Sequence, residues 1–268
     1  GAVDTYTMEA MMLDGKALQS GTSHYLGQNF SSAFEITYLD KDGQLKNPYQ
    51  TSWGVSTRLI AALIMAPGDQ RGLKLPPGVA PIQVVVVPVA AHKEGVLDKA
   101  SEVAATLRAQ GLRVELDDRE QSPGWKFNEW EMKGVPVRLE IGPRDIENGQ
   151  VMIARRDTHD KFAVKIDDLA HDIPALLDDI QQNMFKQSHD FLHSHIQVCH
   201  TLDEMKQTLD DHKFVKAMWC GDRCCEDKIK EQFSATSRCM PFDQTPVGDV
   251  CPVCGKPASK VIYYARAY

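Results

Sequence analysis

The stretch Thr51-Ser-Trp-Gly-Val-Ser-Thr-Arg-Leu-Ile-Ala-Ala-Leu-Ile-Met65 constrains the fold of this chain more than any other. Trp53 and Gly54 stand directly before Arg58, and the run behind them is apolar on every side for two helical turns. That order predicts a strand end, a tight turn and a buried helix whose first turn holds a cation in place. A guanidinium fixed there can lie flat on an aromatic ring or fork onto phosphate oxygens. Taken alone, the stretch is equally an ordinary core helix with an arginine at its mouth.

Around it the pattern is that of antiparallel strands. Phe34–Leu39 alternates, Asp42-Gly43 is a hairpin turn, and Tyr49–Trp53 reads as a returning strand. Pro76-Pro77-Gly78, followed by Ala80-Pro81, breaks the chain and marks a linker, so a first domain is expected over 1–76. A second, over 77–190, alternates strands with helices. Its strands are expected at Ile82–Val89, Leu112–Leu116, Val135–Ile141, Val151–Arg155 and Phe162–Ile166, and its helices at Leu97–Gln110 and Trp125–Lys133, which implies a mixed sheet covered by helices. A helical stretch from Asp167 to Cys199 follows, with Pro174 predicted in a first turn and splitting it in two. The third unit, over 191–268, carries a strand at Phe214–Trp219 and a closing strand at Val261–Tyr268. The fold class is therefore a multidomain mixture of α/β and α+β.

A chain of 268 residues, 43% hydrophobic and 25% charged, can bury a sizeable core. Its net charge of -7 gives no sequence-independent pull toward nucleic acid, so any RNA contact must come from local patches. No apolar run reaches membrane-spanning length and no signal peptide opens the chain, from which a cytoplasmic protein without membrane partners is expected.

All seven cysteines lie from Cys199 onward, six of them between Cys220 and Cys254. Clustering of this kind in a chain without a secretory signal argues for a metal site rather than disulfides. Cys251-Pro-Val-Cys254-Gly255 is a knuckle in which both thiolates can face one ion, and its partner pair is Cys220 with either Cys224 or Cys225. Four thiolates around zinc make a closed structural site. Cys199 and Cys239 lack a second ligand at knuckle spacing and read as plain buried residues, and His193, His195 and His200 as solvated ones.

Thr51–Met65 joins with several other segments in one order: Gly15-Lys-Ala-Leu-Gln-Ser-Gly-Thr-Ser-His-Tyr-Leu-Gly-Gln-Asn-Phe30 upstream, then Gly72–Pro88 and Pro123-Gly-Trp-Lys-Phe-Asn-Glu-Trp-Glu-Met-Lys133 downstream. Together they resemble the prolyl-tRNA synthetases of the archaeal and eukaryotic type, class II enzymes in which Thr51–Met65 matches motif 3. The resemblance runs from about Ala2 to Tyr268, and agreement of several long segments in order is far more specific than one short motif.

The resemblance implies ligation of proline to tRNA(Pro) through prolyl-adenylate, with ATP and magnesium, in a homodimer. It places Gly1–Ala10 after motifs 1 and 2, so the chain is expected to be the C-terminal piece of a longer synthetase that keeps anticodon binding and zinc but not adenylation. Its domains would be half of an antiparallel catalytic sheet, an anticodon-binding domain and a zinc-binding domain. Gln19, Thr22, Ser56 and Arg58 would hold ATP, with Gln19 near magnesium. His24, Trp53 and Gly54 would frame the proline, and Arg58 and His24 are the expected catalytic residues. Lys126, Glu140 and Arg144, with Arg138 and the aromatic Trp125 or Phe127, would read anticodon bases. For the metal the resemblance selects Cys225, giving Cys220, Cys225, Cys251 and Cys254 as ligands. It also brings the C-terminal Tyr268 back to the catalytic domain. The competing reading is a non-catalytic RNA-binding or interaction module derived from synthetase domains.

Overall fold

The computed structural model describes all residues from Gly1 to Tyr268. Two compact units form: the first joins Gly1–Ala66 to Phe191–Tyr268, and the second is Pro67–Asp190. Each is a mixture of helices and sheets, so the α/β and α+β character read from the sequence holds.

The first unit opens on two long antiparallel strands, β1 (Asp4–Met11) and β2 (Ala17–Gly27). Their register steps over Ser20, which leaves Glu9 opposite Gln19 although Met8 is opposite Gly21. This bulge turns Gln19 onto the face that carries Thr22 and His24, which strict alternation would deny it. After the short helix α1 (Asn29–Ala33), β3 (Tyr38–Leu39) and β4 (Leu45–Lys46) form the hairpin at Asp42-Gly43. Phe34–Ile36, expected to continue a strand, lies outside it. The returning strand β5 (Gln50–Val55) pairs with β2, giving the order β1-β2-β5.

The helix expected to be buried is α2 (Arg58–Met65), and here the expectation fails. None of its residues is buried; Leu59, Ile60, Ile64 and Met65 are 42–58% exposed. A helix apolar on every side needs cover on more than one side, and the strand it packs against is β2.

In the second unit the five-stranded sheet runs β10-β9-β8-β6-β7. Its central strand β6 (Val84–Pro88) is flanked in parallel by β7 (Val114–Leu116) and β8 (Val137–Ile141), while β9 (Gln150–Arg155) and β10 (Lys161–Lys165) add antiparallel strands at one edge. Val84 to Val87 are all fully buried because both faces are covered. Val84 and Val86 pack with α3 (Val96–Ala109) and α6 (Leu169–Ser194), and Val85 and Val87 with Trp130 of α4 (Pro123–Met132). Each such valine contributes about 1.5–3 kcal/mol. The short helix α5 (Pro143–Glu147) follows β8. A 3-10 turn over Ile166–Asp168 leads into α6, which is one helix and not the two expected at Pro174. Pro174 stands in its second turn, and the buried stripe Leu169, Ile173, Leu177 and Ile180 holds the helix on both sides of it.

The segment from Pro67 to Leu75 is bound to this second unit. Arg156, 4% exposed, grips both oxygens of Asp69 at 2.9 and 2.7 Å, and the backbone N–H of Leu73 donates to the Met132 carbonyl. Gly134 has φ +74, and a Cβ there would meet the Leu73 backbone at 2.7 Å.

The chain then returns to the first unit with β11 (Ile196–Val198), α7 (Leu202–Asp210), β12 (Phe214–Trp219), α8 (Arg223–Phe233), β13 (Thr236–Cys239) and β14 (Lys260–Ala265). The sheet order is β11-β12-β14-β13, around a small core built on Met205, Val215, Ile229 and Tyr264. This sheet and the β1–β2 hairpin are one body. Ala17 pairs with Ala267, Glu9 with Arg238, and the turn at Gly15 lies so close to the His212 carbonyl that a Cβ would come within 1.8 Å of it.

Candidate functional site

Three groups of side chains carry chemistry. The first lies where β5 stops pairing with β2. Gln19, Ser20, Gly21 and Thr22 of β2, Gly54 and Val55 of β5, and Ser56 and Arg58 at the start of α2 line one cavity. The four residues expected to hold a nucleotide are thus together. Thr22 pairs with Gly54 and His24 with Ser52, so all four share a face; Thr5 Oγ1 lies 2.9 Å from His24 Nδ1 on that same face. Trp53 pairs with Ser23 and belongs to the opposite face, where it is 76% exposed. Expected beside His24 and Gly54, it is separated from them by strand alternation, and Ser52 takes the place beside His24. The sequence held that signal, since neighbours on a strand point apart, but only a known register converts it into a partner.

The second group lies on the face of the second unit's sheet that α4 covers. Glu140 is 5% exposed: Arg138 donates to Oε1 through Nε at 3.1 Å and Nη2 at 3.0 Å, and Lys161 Nζ donates to Oε2 at 2.5 Å. The Arg138 guanidinium lies 4.3 Å from the centre of the Phe127 ring, with Lys161 at 5.9 Å. A buried carboxylate, two cations and an aromatic face form one patch. Lys161 was not singled out from sequence, because it reaches Glu140 across β9 and no local spacing reveals that. Arg144 is exposed in the first turn of α5, beyond the end of β8.

Lys126 requires a correction. Expected near a strand end and open to bases, it lies within α4 and is 2% exposed. Its Nζ donates to the Asp117 carbonyl at 2.9 Å and stands 3.6 Å from the Asp117 carboxylate. Asp117 also accepts from Trp130 Nε1 at 2.7 Å and from Arg119 Nε and Nη2 at 2.8 and 2.7 Å. Burial alone raises the Asp117 carboxyl, but Arg119, Trp130 and Lys126 more than reverse this and take it down to about 2. The ammonium is committed to this network.

The third group is the thiol cluster. Cys220 follows β12, Cys225 lies in the first turn of α8, and Cys251 and Cys254 form the knuckle. Their sulfurs all lie within 4.8 Å of one another, with Cys220 3.7 Å from both Cys225 and Cys254. A tetrahedron with metal–sulfur bonds of about 2.3 Å has edges of about 3.8 Å, so the donor set fits a zinc-sized ion and the spacing is far beyond a disulfide. The choice between neighbours is made by helix geometry. Asp222 caps α8 by accepting from the Cys224 N–H at 3.1 Å, which turns Cys225 inward and fully buried and leaves Cys224 exposed. Burial pushes the Cys225 thiol up, while the Lys256 backbone pulls Cys254 down to about 7. Cys199 is buried with its sulfur 3.2 Å from Thr208 Oγ1, and Cys239 is half-buried. His193, His195 and His200 stand outside the cluster.

At the C-terminus, Tyr268 donates to Asp14 at 2.7 Å, and Lys16 lies 4.9 Å from its ring centre. No helix is long and apolar enough to cross a membrane.

Residues 83–176 match the anticodon binding domain family, and residues 202–268 match the C-terminal domain of prolyl-tRNA synthetase. Among curated proteins the chain is 58% identical to a proline–tRNA ligase of Alkaliphilus oremlandii, 56% to one of Lachnospira eligens and 55% to one of Clostridium novyi. Each match covers all of this chain and 56% of the relative's length. The matched domains and the identity sustained along its whole length agree, and the chain belongs to the prolyl-tRNA synthetase family, of which it carries the C-terminal portion.

Proposed function

We propose that this chain is the C-terminal part of an enzyme that activates proline with ATP and transfers it to tRNA(Pro). The observation that carries the reading is the convergence of Gln19, Thr22, Ser56 and Arg58 on one cavity, beside the face that holds His24, Ser52 and Gly54. A binding module has no use for such an arrangement. Attack of the proline carboxylate on the α-phosphate expels pyrophosphate and leaves prolyl-adenylate; attack of a tRNA ribose hydroxyl on its carbonyl then expels AMP. Both steps depend on positioning and charge neutralisation. Arg58 supplies a cation at the start of α2, where the helix dipole also favours phosphate. Gln19 and Thr22 orient the nucleotide, magnesium held near Gln19 would supply neutralisation of phosphate charge, and His24 and Gly54 border the proline.

The exposed apolar surface of α2, Trp53, Tyr6 and Met8 supports packing against the remaining length that the relatives have. On this reading the enzyme is a cytoplasmic homodimer, the stretch over 77–190 binds the anticodon, and 191–268 holds a structural zinc on Cys220, Cys225, Cys251 and Cys254. Bases are read by Glu140, Arg138, Lys161 and Phe127, with Arg144 at the rim, through edge hydrogen bonds and stacking. Glu140→Gln is expected to weaken binding of a tRNA(Pro) transcript about tenfold, since a charge-assisted partner is lost. Filter binding checks this.

The deciding experiment is proline-dependent exchange of pyrophosphate into ATP, run on this chain and on a protein extended to the relatives' full length. Activity in the extended protein and silence in this chain are expected, and Arg58→Ala should reduce the rate about 100-fold or more. Silence in both would favour the non-catalytic RNA-binding reading.

A further inference from the structure

We propose that Arg238 is a positioning residue for the nucleotide cavity, acting by neutralising Glu9 at the bulge that presents Gln19. The inference rests on the nucleotide reading of that cavity. Because the register steps over Ser20, Glu9 of β1 stands directly opposite Gln19 of β2 and projects on the same face. It is one strand spacing, about 4.8 Å, from the strand that lines the cavity. A carboxylate there repels a polyphosphate and competes with it for a divalent cation. The Glu9 side chain is only 7% exposed, so bulk water does little to screen it.

Arg238 answers that charge. It comes from β13, and its side chain is 14% exposed. Nη2 and Nε donate to Glu9 Oε2 at 2.8 and 3.2 Å, and Nη1 donates to Thr236 Oγ1 at 3.0 Å, which fixes the direction of the guanidinium. The two residues are separated by 229 positions in sequence. Arg238 is not one of the residues that line the cavity, and it acts through Glu9. The thiol-bearing sheet thereby sets the electrostatics of the cavity at the other end of the chain.

A merely structural ion pair and a charge-compensating one differ in what rescues them. In the full-length form, Arg238→Met is expected to raise KM for magnesium ATP about tenfold, as one uncompensated charge near the phosphates requires. KM for proline should hold. Adding Glu9→Gln should return the ATP KM to within about twofold of its starting value, because the charge to be neutralised is gone. Melting temperatures of both variants are recorded alongside, and fluorescent-nucleotide titration of this chain gives a second readout that needs no turnover. An unchanged ATP KM in Arg238→Met overturns the proposal, as does a raised KM that Glu9→Gln fails to restore. Failure of the unaltered protein to bind ATP in either form overturns the nucleotide reading itself, a separate result.

Discussion

Replacing Cys251 with serine is expected to abolish stoichiometric zinc and to unfold the sheet built from residues 196–265. The core behind that sheet is small, and a domain of this size gains much of its stability from a staple. Cys251 is 1% exposed, and its backbone closes the knuckle by donating to the Lys256 carbonyl at 2.9 Å and accepting from the Gly255 N–H at 2.8 Å. The turn survives the substitution, whereas the fourth thiolate does not. Zinc folding an isolated finger releases about 10–16 kcal/mol; because this sheet has a core of its own, a loss of about 5 kcal/mol or more is expected. Metal content per chain and thermal melting measure it, with a strong chelator on the unaltered protein expected to reproduce the effect. Cys224→Ser, one residue from a ligand but outside the cluster, should change neither quantity. Full metal content and an unchanged melt in Cys251→Ser would remove the zinc assignment.

Asp117→Asn is expected to destabilise the second unit by about 3–5 kcal/mol, the loss typical when one partner of a buried ion pair is removed. Lys126 would keep its bond to the residue 117 carbonyl but lose the carboxylate that balances its charge, and Trp130 and Arg119 would each lose a charged acceptor. Pairing the change with Lys126→Met should recover most of the loss, because an apolar replacement removes the charge needing a partner. The same carboxylate sets a pH dependence. Folded, Asp117 stays ionised down to about 2; unfolded, it titrates near about 3.9. Its contribution is therefore intact above about 4 and is lost as the pH falls from there toward 2. Urea melts of the unaltered protein and of Asp117→Asn should converge over that interval, and parallel curves would show that Asp117 is not responsible.

Elements whose burial is local were legible in the sequence. The valine run at 84–87 and the helical spacing of Ala100, Val103, Ala104 and Leu107 announce themselves because each encodes its own cover. What was not legible depends on partners and registers that no spacing within the element itself reveals. Lys126 carries a charge on a helix and reads as surface, and only Asp117, nine residues earlier, buries it. Trp53 reads as part of a pocket until its pairing with Ser23 assigns it to the other face. The bulge at Ser20 leaves no local mark, yet it decides that Gln19 joins Thr22. At the thiol cluster the spacing left two candidates, and an aspartate cap on a helix discriminates between them.

The first unit draws its two halves from opposite ends of the sequence, with Pro67–Asp190 in between. During synthesis this imposes a delay. The hairpin β1–β2 emerges before the second unit, whereas Arg238, which pairs with Glu9, and Ala267, which pairs with Ala17, emerge after it. At about 5–20 residues per second, the roughly 200 residues that follow α2 take on the order of 10–40 s. For that interval the strands that present Gln19 and Thr22 stand without their final neighbours, while the second unit can complete its own core. The first unit is thus completed after the second, and a nascent chain interrupted before β13 would carry a folded second unit with Glu9 still lacking its Arg238 partner.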